Sequence, residues 1–213
     1  MIDRMRAVGL ALLLLLAPGV APAGPLTDRI MAPGLLADMP QGEALRYRHD
    51  RSIPAQPEGA VAPGAGRGLP VPRAVEGAEL RLTPDGAGTL ILHSDEAGES
   101  RPISGFPAAG GNPVLLFFLE NVVRHLAVST GGSPFYLRNR MVEALAAADL
   151  PPHGEEAVLA PFADDPNRDR LGGFADLRIA LRLDPADPAR LLELRAEAGA
   201  ADYLEQMTLV TED

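Results

Sequence analysis

The chain has 213 residues, with 19 basic and 29 acidic side chains for a net charge of −10, and it has no cysteine. Disulfides, thiolate metal sites and cysteine nucleophiles are therefore excluded, and because every basic residue is arginine, so are Schiff-base and P-loop lysines. The acidic balance disfavours nucleic acid and anionic membrane surfaces, both of which are bound by neutralising phosphates.

The N-terminal residues carry an export pattern. Arg4 and Arg6 precede an apolar run over 8–17, breakers follow at Pro18 and Gly19, and Ala21-Pro22-Ala23 places small residues where a signal peptidase needs them. About ten apolar residues fall short of the roughly twenty that span a bilayer. The pattern predicts a signal peptide over 1–23 cleaved between Ala23 and Gly24, a periplasmic destination, and no transmembrane segment after cleavage. Cleavage removes two arginines and one aspartate, so the charge of −10 becomes −11. Met5 separates the arginines, so this is not a twin-arginine signal.

The stretch 25–42 reads as a short amphipathic start with Ile30, Met31, Leu35, Leu36 and Met39 apolar, broken by Pro33-Gly34 and ended by Pro40. Over 43–50 the period changes to two, with Leu45, Tyr47 and His49 on one side and Arg46 and Arg48 on the other, which predicts a strand. Prolines 54, 57, 63, 70 and 72 and glycines 59, 64, 66 and 68 make 53–75 a flexible Pro/Gly/Ala-rich loop within the domain. Strands are expected at 78–83 and 89–94, joined by Pro84-Asp85-Gly86-Ala87-Gly88, with a weaker one at 101–104.

Asn112 and Pro113 have the chemistry of an N-cap and a first helical position, opening a helix over 113–129. Its polar residues Glu120, Asn121, Arg124 and His125 form one narrow stripe, and 114–119 is apolar around the whole circumference, so these turns have to be covered. Gly131-Gly132 stops that helix, and Ser133-Pro134 starts a second over 134–148, giving a helical hairpin. Strands follow at 156–162, 174–183, 191–198 and 203–211, the last three as a meander. The expected fold class is α+β, a single exported domain over 24–213 with an antiparallel sheet of about seven strands, flat or curved into a half-barrel, and the helical hairpin on one face.

Chemistry is thinly signalled. His93, Asp95 and Glu96 end one strand and His49-Asp50 another, so zinc or manganese ligation, and with it a metal-assisted hydrolase using His49, His93 and Asp95, requires those strands to converge. Ser94 or Ser104 beside a histidine lacks any G-x-S-x-G elbow. Asp165, Asn167, Asp169 and Asp176 match four positions of a calcium loop, but Arg170 stands where glycine is needed. Arg138 and Arg140 do not share a helix face.

These readings assign no catalytic residue, no metal and no cofactor. The apolar helix remains: besides filling a core, Leu115, Phe117, Phe118, Leu119 and Val122 are candidates to line a cleft for a hydrophobic small molecule or a protein partner of the cell envelope. In exported context and element order the chain is similar to the half-barrel carriers and chaperones of the bacterial envelope that bind lipidated proteins, without a sequence motif of theirs. The expectation is a non-catalytic periplasmic binding or envelope-accessory protein. A scaffold protein of the envelope would instead show an exposed apolar patch.

Overall fold

The computed structural model describes residues 24–54, 62–64, 71–96, 98–151, 156–187 and 189–211. The export pattern over 1–23 and much of the loop within 53–75 lie outside the described residues.

A short helix α1 (Pro25–Ile30) buries Leu26 and Ile30, and the hydroxyl of its Thr27 donates to the Leu145 carbonyl at 3.0 Å. Four strands follow as a meander: β1 (Leu45–Ser52), β2 (Val75–Pro84), β3 (Thr89–Glu96) and β4 (Glu99–Pro107). Two helices come next, α2 (Pro113–Thr130) and α3 (Pro134–Ala147). The chain closes with β5 (Glu156–Leu159), β6 (Arg178–Leu183), β7 (Leu191–Ala198) and β8 (Tyr203–Leu209). The eight strands form one antiparallel sheet in the order β4-β3-β2-β1-β8-β7-β6-β5, and it does not close into a barrel. The two meanders are thus stitched together by β1 and β8, strands from opposite ends of the chain.

Alternation explains the layering. In β8 the burial follows period two, with Tyr203, Glu205, Met207 and Leu209 inward, and β1 answers with Tyr47 and His49. Side chains on the other face form ion pairs, Arg81 with Asp95 at 3.1 Å and Arg182 with Glu193 at 3.1 Å, suited to water. Aliphatic side chains on the inner face, among them Leu80, Leu82, Leu92, Ile179, Leu181 and Leu194, meet Leu115, Phe118, Val122 and Leu126 of α2 in one core.

The Asn112 side chain accepts from the backbone N–H groups of Val114 and Leu115 at 3.1 and 3.2 Å, so the expected N-cap forms. Its amide also donates to the Ala189 carbonyl at 3.0 Å, tying the helix start to the turn before β7. By length and composition α2 is able to cross a membrane, but more than half of it is buried inside the fold.

Two strand expectations need correction. The segment expected as a strand from 174 begins only at Arg178, because Arg168–Phe174 coils as a 3-10 turn. The Arg168 guanidinium holds that turn by donating to the carbonyls of Phe162 at 2.9 Å and Ala175 at 2.6 Å and by pairing with Asp176. The strand expected over 156–162 stops at Leu159, two residues before Pro161, which has no N–H for a ladder.

Candidate functional site

The polar residues gathered on the inner face converge on Glu205, which has no solvent exposure. Arg51 stands directly opposite it across the β1–β8 pair. The guanidinium donates from Nε to Oε2 at 3.0 Å and from Nη2 to Oε1 at 2.8 Å, a bidentate pair. His49, two residues earlier on the same face, places Nε2 at 3.1 Å from Oε1, and the Tyr203 hydroxyl donates to Oε2 at 2.8 Å. Burial alone pushes the Glu205 carboxyl up. The His49 and Arg51 hydrogen bonds, with the charge of Arg51, outweigh burial and bring its pKa down to about 2. Burial raises the Tyr203 phenol, and the neighbouring Glu205 charge and hydrogen bond raise it further, so it stays a donor.

A bulge aims this cluster. The register between β1 and β2 slips between His49 and Arg51, beside Gly77 at φ 59°, a backbone conformation that favours glycine. The Gly77 N–H donates to the Asp50 carboxylate at 2.7 Å and fixes the slip.

Over this floor lies His125 of α2, stacked on Tyr203 with ring centroids 4.3 Å apart and planes 13° off parallel. Phe174 meets both rings edge-on at 5.5 and 5.6 Å. His125 is only 4% exposed, which corrects the expected polar stripe. Glu120, Asn121 and Arg124 keep some exposure, but His125 falls seven residues after Phe118 and three after Val122, and so turns inward with them.

Other expected constellations disperse. Pairing through β2 puts His49 in line with Ala78 on the inner face and His93 in line with Arg81 on the outer face, so the two imidazoles lie on opposite sides of the sheet. Asp95 shares the outer face with His93 and is bonded by Arg81 at 3.1 Å. Among the described residues no group of three His, Cys, Asp or Glu is placed to hold a metal ion, and His153 lies outside them. The proposed hydrolase cluster of His49, His93 and Asp95 therefore does not assemble.

The calcium-loop pattern also resolves differently. Asp165 is buried and accepts from the Tyr136 hydroxyl at 2.7 and 2.8 Å and from the Asn167 N–H at 2.7 Å, while Asp176 pairs with Arg168. These acids are consumed by the protein's own donors.

Of the five residues expected to line a cleft, Leu115, Phe118 and Val122 are fully buried within the core, and Phe117 and Leu119 are partly buried against it. At least three cavities walled by described residues lie away from these five. They have volumes of about 430 Å³ (Leu35, Met39, Arg190), about 540 Å³ (Glu43, Arg46, Arg190) and about 440 Å³ (Tyr136, Asn167, Arg170).

The outer face of the hairpin is less covered. Phe135 is 69% exposed, Val142 56% and Leu116 41%. Phe135 and Val142 are seven residues apart, two turns along one face of α3. Between them Arg138 reaches Glu120 of α2 at 2.8 Å, and Arg124 reaches the same carboxylate at 3.1 Å. This bridge registers the two antiparallel helices. Leu116 and Val142 each lie one turn from it toward one end, and Arg124 and Phe135 about one turn toward the other. The outer strip thus runs apolar, ionic, then aromatic with arginine.

Sequence reasoning missed both the Glu205 cluster and this strip. A glutamate in the inward register of 203–209 was the available signal for the first. For the second it was the pair Phe135 and Val142, which fall outside the apolar stripe of Leu137, Met141 and Leu145. No family model and no curated protein matches the chain.

Proposed function

We propose that this chain is a non-catalytic binding protein of the cell envelope that engages a protein partner through the outer face of the α2–α3 hairpin. The observation that carries the reading is the exposure of Leu116, Phe135 and Val142 along one strip of a hairpin whose other side is sealed. Single exposed apolar side chains are ordinary, whereas a registered set flanked by charge is the usual anatomy of a contact surface. Glu120 is shared by two arginines, so the strip is locally positive on a protein of net charge −10. A partner surface with an apolar centre and an acidic rim complements it.

Export to the envelope rests on the Arg4, Arg6, 8–17 and Ala21-Pro22-Ala23 pattern. An internal apolar ligand is less well supported, because Leu115, Phe118 and Val122 already fill the interior. Catalysis has no supporting geometry among the described residues, since His49, Arg51 and Tyr203 are all directed at one buried carboxylate.

The test is site-specific photo-crosslinking in cells that export the chain, with the probe at position 135 and a control at Arg48 on the outer sheet face. One discrete adduct is expected from 135 and none from 48. The isolated partner should then bind the purified mature chain at least tenfold more weakly when Val142 is replaced by serine. Equal labelling from both positions, or no adduct from 135, would overturn the reading.

A further inference from the structure

We propose that His125 is an acid-sensing pin: neutral, it seats the C-terminal half of α2 on the β1–β8 seam, and its protonation releases that half from the sheet. The inference does not depend on the partner reading. The ring occupies a closed slot. Tyr203 covers one face at 4.3 Å and Phe174 closes an edge at 5.5 Å. Nδ1 is buried without a hydrogen-bond partner, and Nε2 has only the Ser129 hydroxyl, one turn along the same helix, at 3.4 Å. A neutral imidazole has one N–H and tolerates this arrangement. The imidazolium has two, and a charge as well: the Ser129 oxygen can meet Nε2–H, but Nδ1–H has no acceptor.

The charged groups facing His125 deepen the effect. From β1 comes Arg51, a like charge once the ring is protonated; from β8 come Glu205 and the Tyr203 phenol. Glu205 is the one carboxylate among the described residues that faces the ring, and it already accepts from Arg51, Tyr203 and His49. The 3-10 turn contributes Phe174, which carries no charge. Burial first, and then the Arg51 charge, lower the His125 pKa to about 4, with Glu205 opposing in part.

A released imidazole titrates near 6.5, so the unfolded or undocked state binds the proton first. The pin holds fully above pH 6.5 and loses hold progressively as the pH falls toward 4, at up to about a tenfold rise in opening per pH unit. Glu205, low at about 2, keeps its charge through that window, so the floor of the cluster persists while the ring above it is expelled.

Residue-resolved hydrogen exchange of the mature chain at pH 7.5, 6.5, 5.5 and 4.5, corrected for intrinsic rates, tests this. Protection of amides 122–130 is expected to fall about tenfold per unit below pH 6.5, ahead of β6 and β7. His125→Phe should flatten that slope, as should His125→Gln if phenylalanine overfills the slot. His49 remains in both variants, so the difference from wild type belongs to His125. NMR titration of the wild-type His125 ring decides the matter without any variant, with a midpoint near 4 expected. A ring titrating near 6.5, protection that is constant from pH 7.5 to 4.5, or a slope retained in both variants would each overturn the proposal.

Discussion

Facing the sheet, the α2–α3 hairpin presents Phe118, Val122 and His125 to a buried interior, where an unpaired charge is costly. Facing outward, the same hairpin leaves Leu116, Phe135 and Val142 in solvent and binds Glu120 between two arginines. The inner side is organised by the cost of burying charge, and the outer side has no such constraint. Inner residues should therefore report on folding and outer ones on association, and each substitution below tries to break that division.

The largest effect is expected at Arg51. Replacing it with methionine removes the bidentate partner of Glu205 and leaves a fully buried carboxylate with only His49 and Tyr203. Stripping one member of a buried pair costs about 3–5 kcal/mol. Urea unfolding of Arg51→Met should show a loss of that size, and a change below about 1 kcal/mol would place the pair among surface-like bridges.

Tyr136→Phe comes next. It removes the hydroxyl that both Asp165 oxygens share, but the Asn167 N–H stays in place, so a smaller loss of about 1–2 kcal/mol is expected in the same assay. A loss matching that of Arg51→Met would show that charge is not what separates the two sites.

Much of the fold was legible because its signals are local. Asn112-Pro113 and Gly131 fix the ends of α2, Pro84 to Gly88 fixes the β2–β3 hairpin, and 191–198 matches β7 residue for residue. The site was not legible, because it is made by the pairing of β1 with β8. Arg51 and Glu205 are 154 positions apart, and no local period announces that they will face each other. His125 was misplaced for a related reason: polarity put it with Glu120, Asn121 and Arg124, whereas helical spacing puts it with Phe118 and Val122, and the buried Tyr203 ring rewards the second arrangement. His49 and His93 looked like a pair because both stand near strand ends, although the strand expected at 78–83 lies between theirs and the two side chains fall in opposite registers.

The smallest expected effect on stability belongs to the outer strip, and it is joined to the largest effect on association. The deciding measurement is a paired one on Phe135→Ser/Val142→Ser: the unfolding free energy of residues 24–213, and the yield of a photo-crosslinked adduct from a probe at position 116. The expected result is a stability within about 0.5 kcal/mol of wild type per site together with loss of the adduct. A large drop in stability would mean that these side chains are packed rather than presented, and an undiminished adduct would mean that the partner sits elsewhere. Either would contradict the assignment of the outer hairpin face as the docking surface.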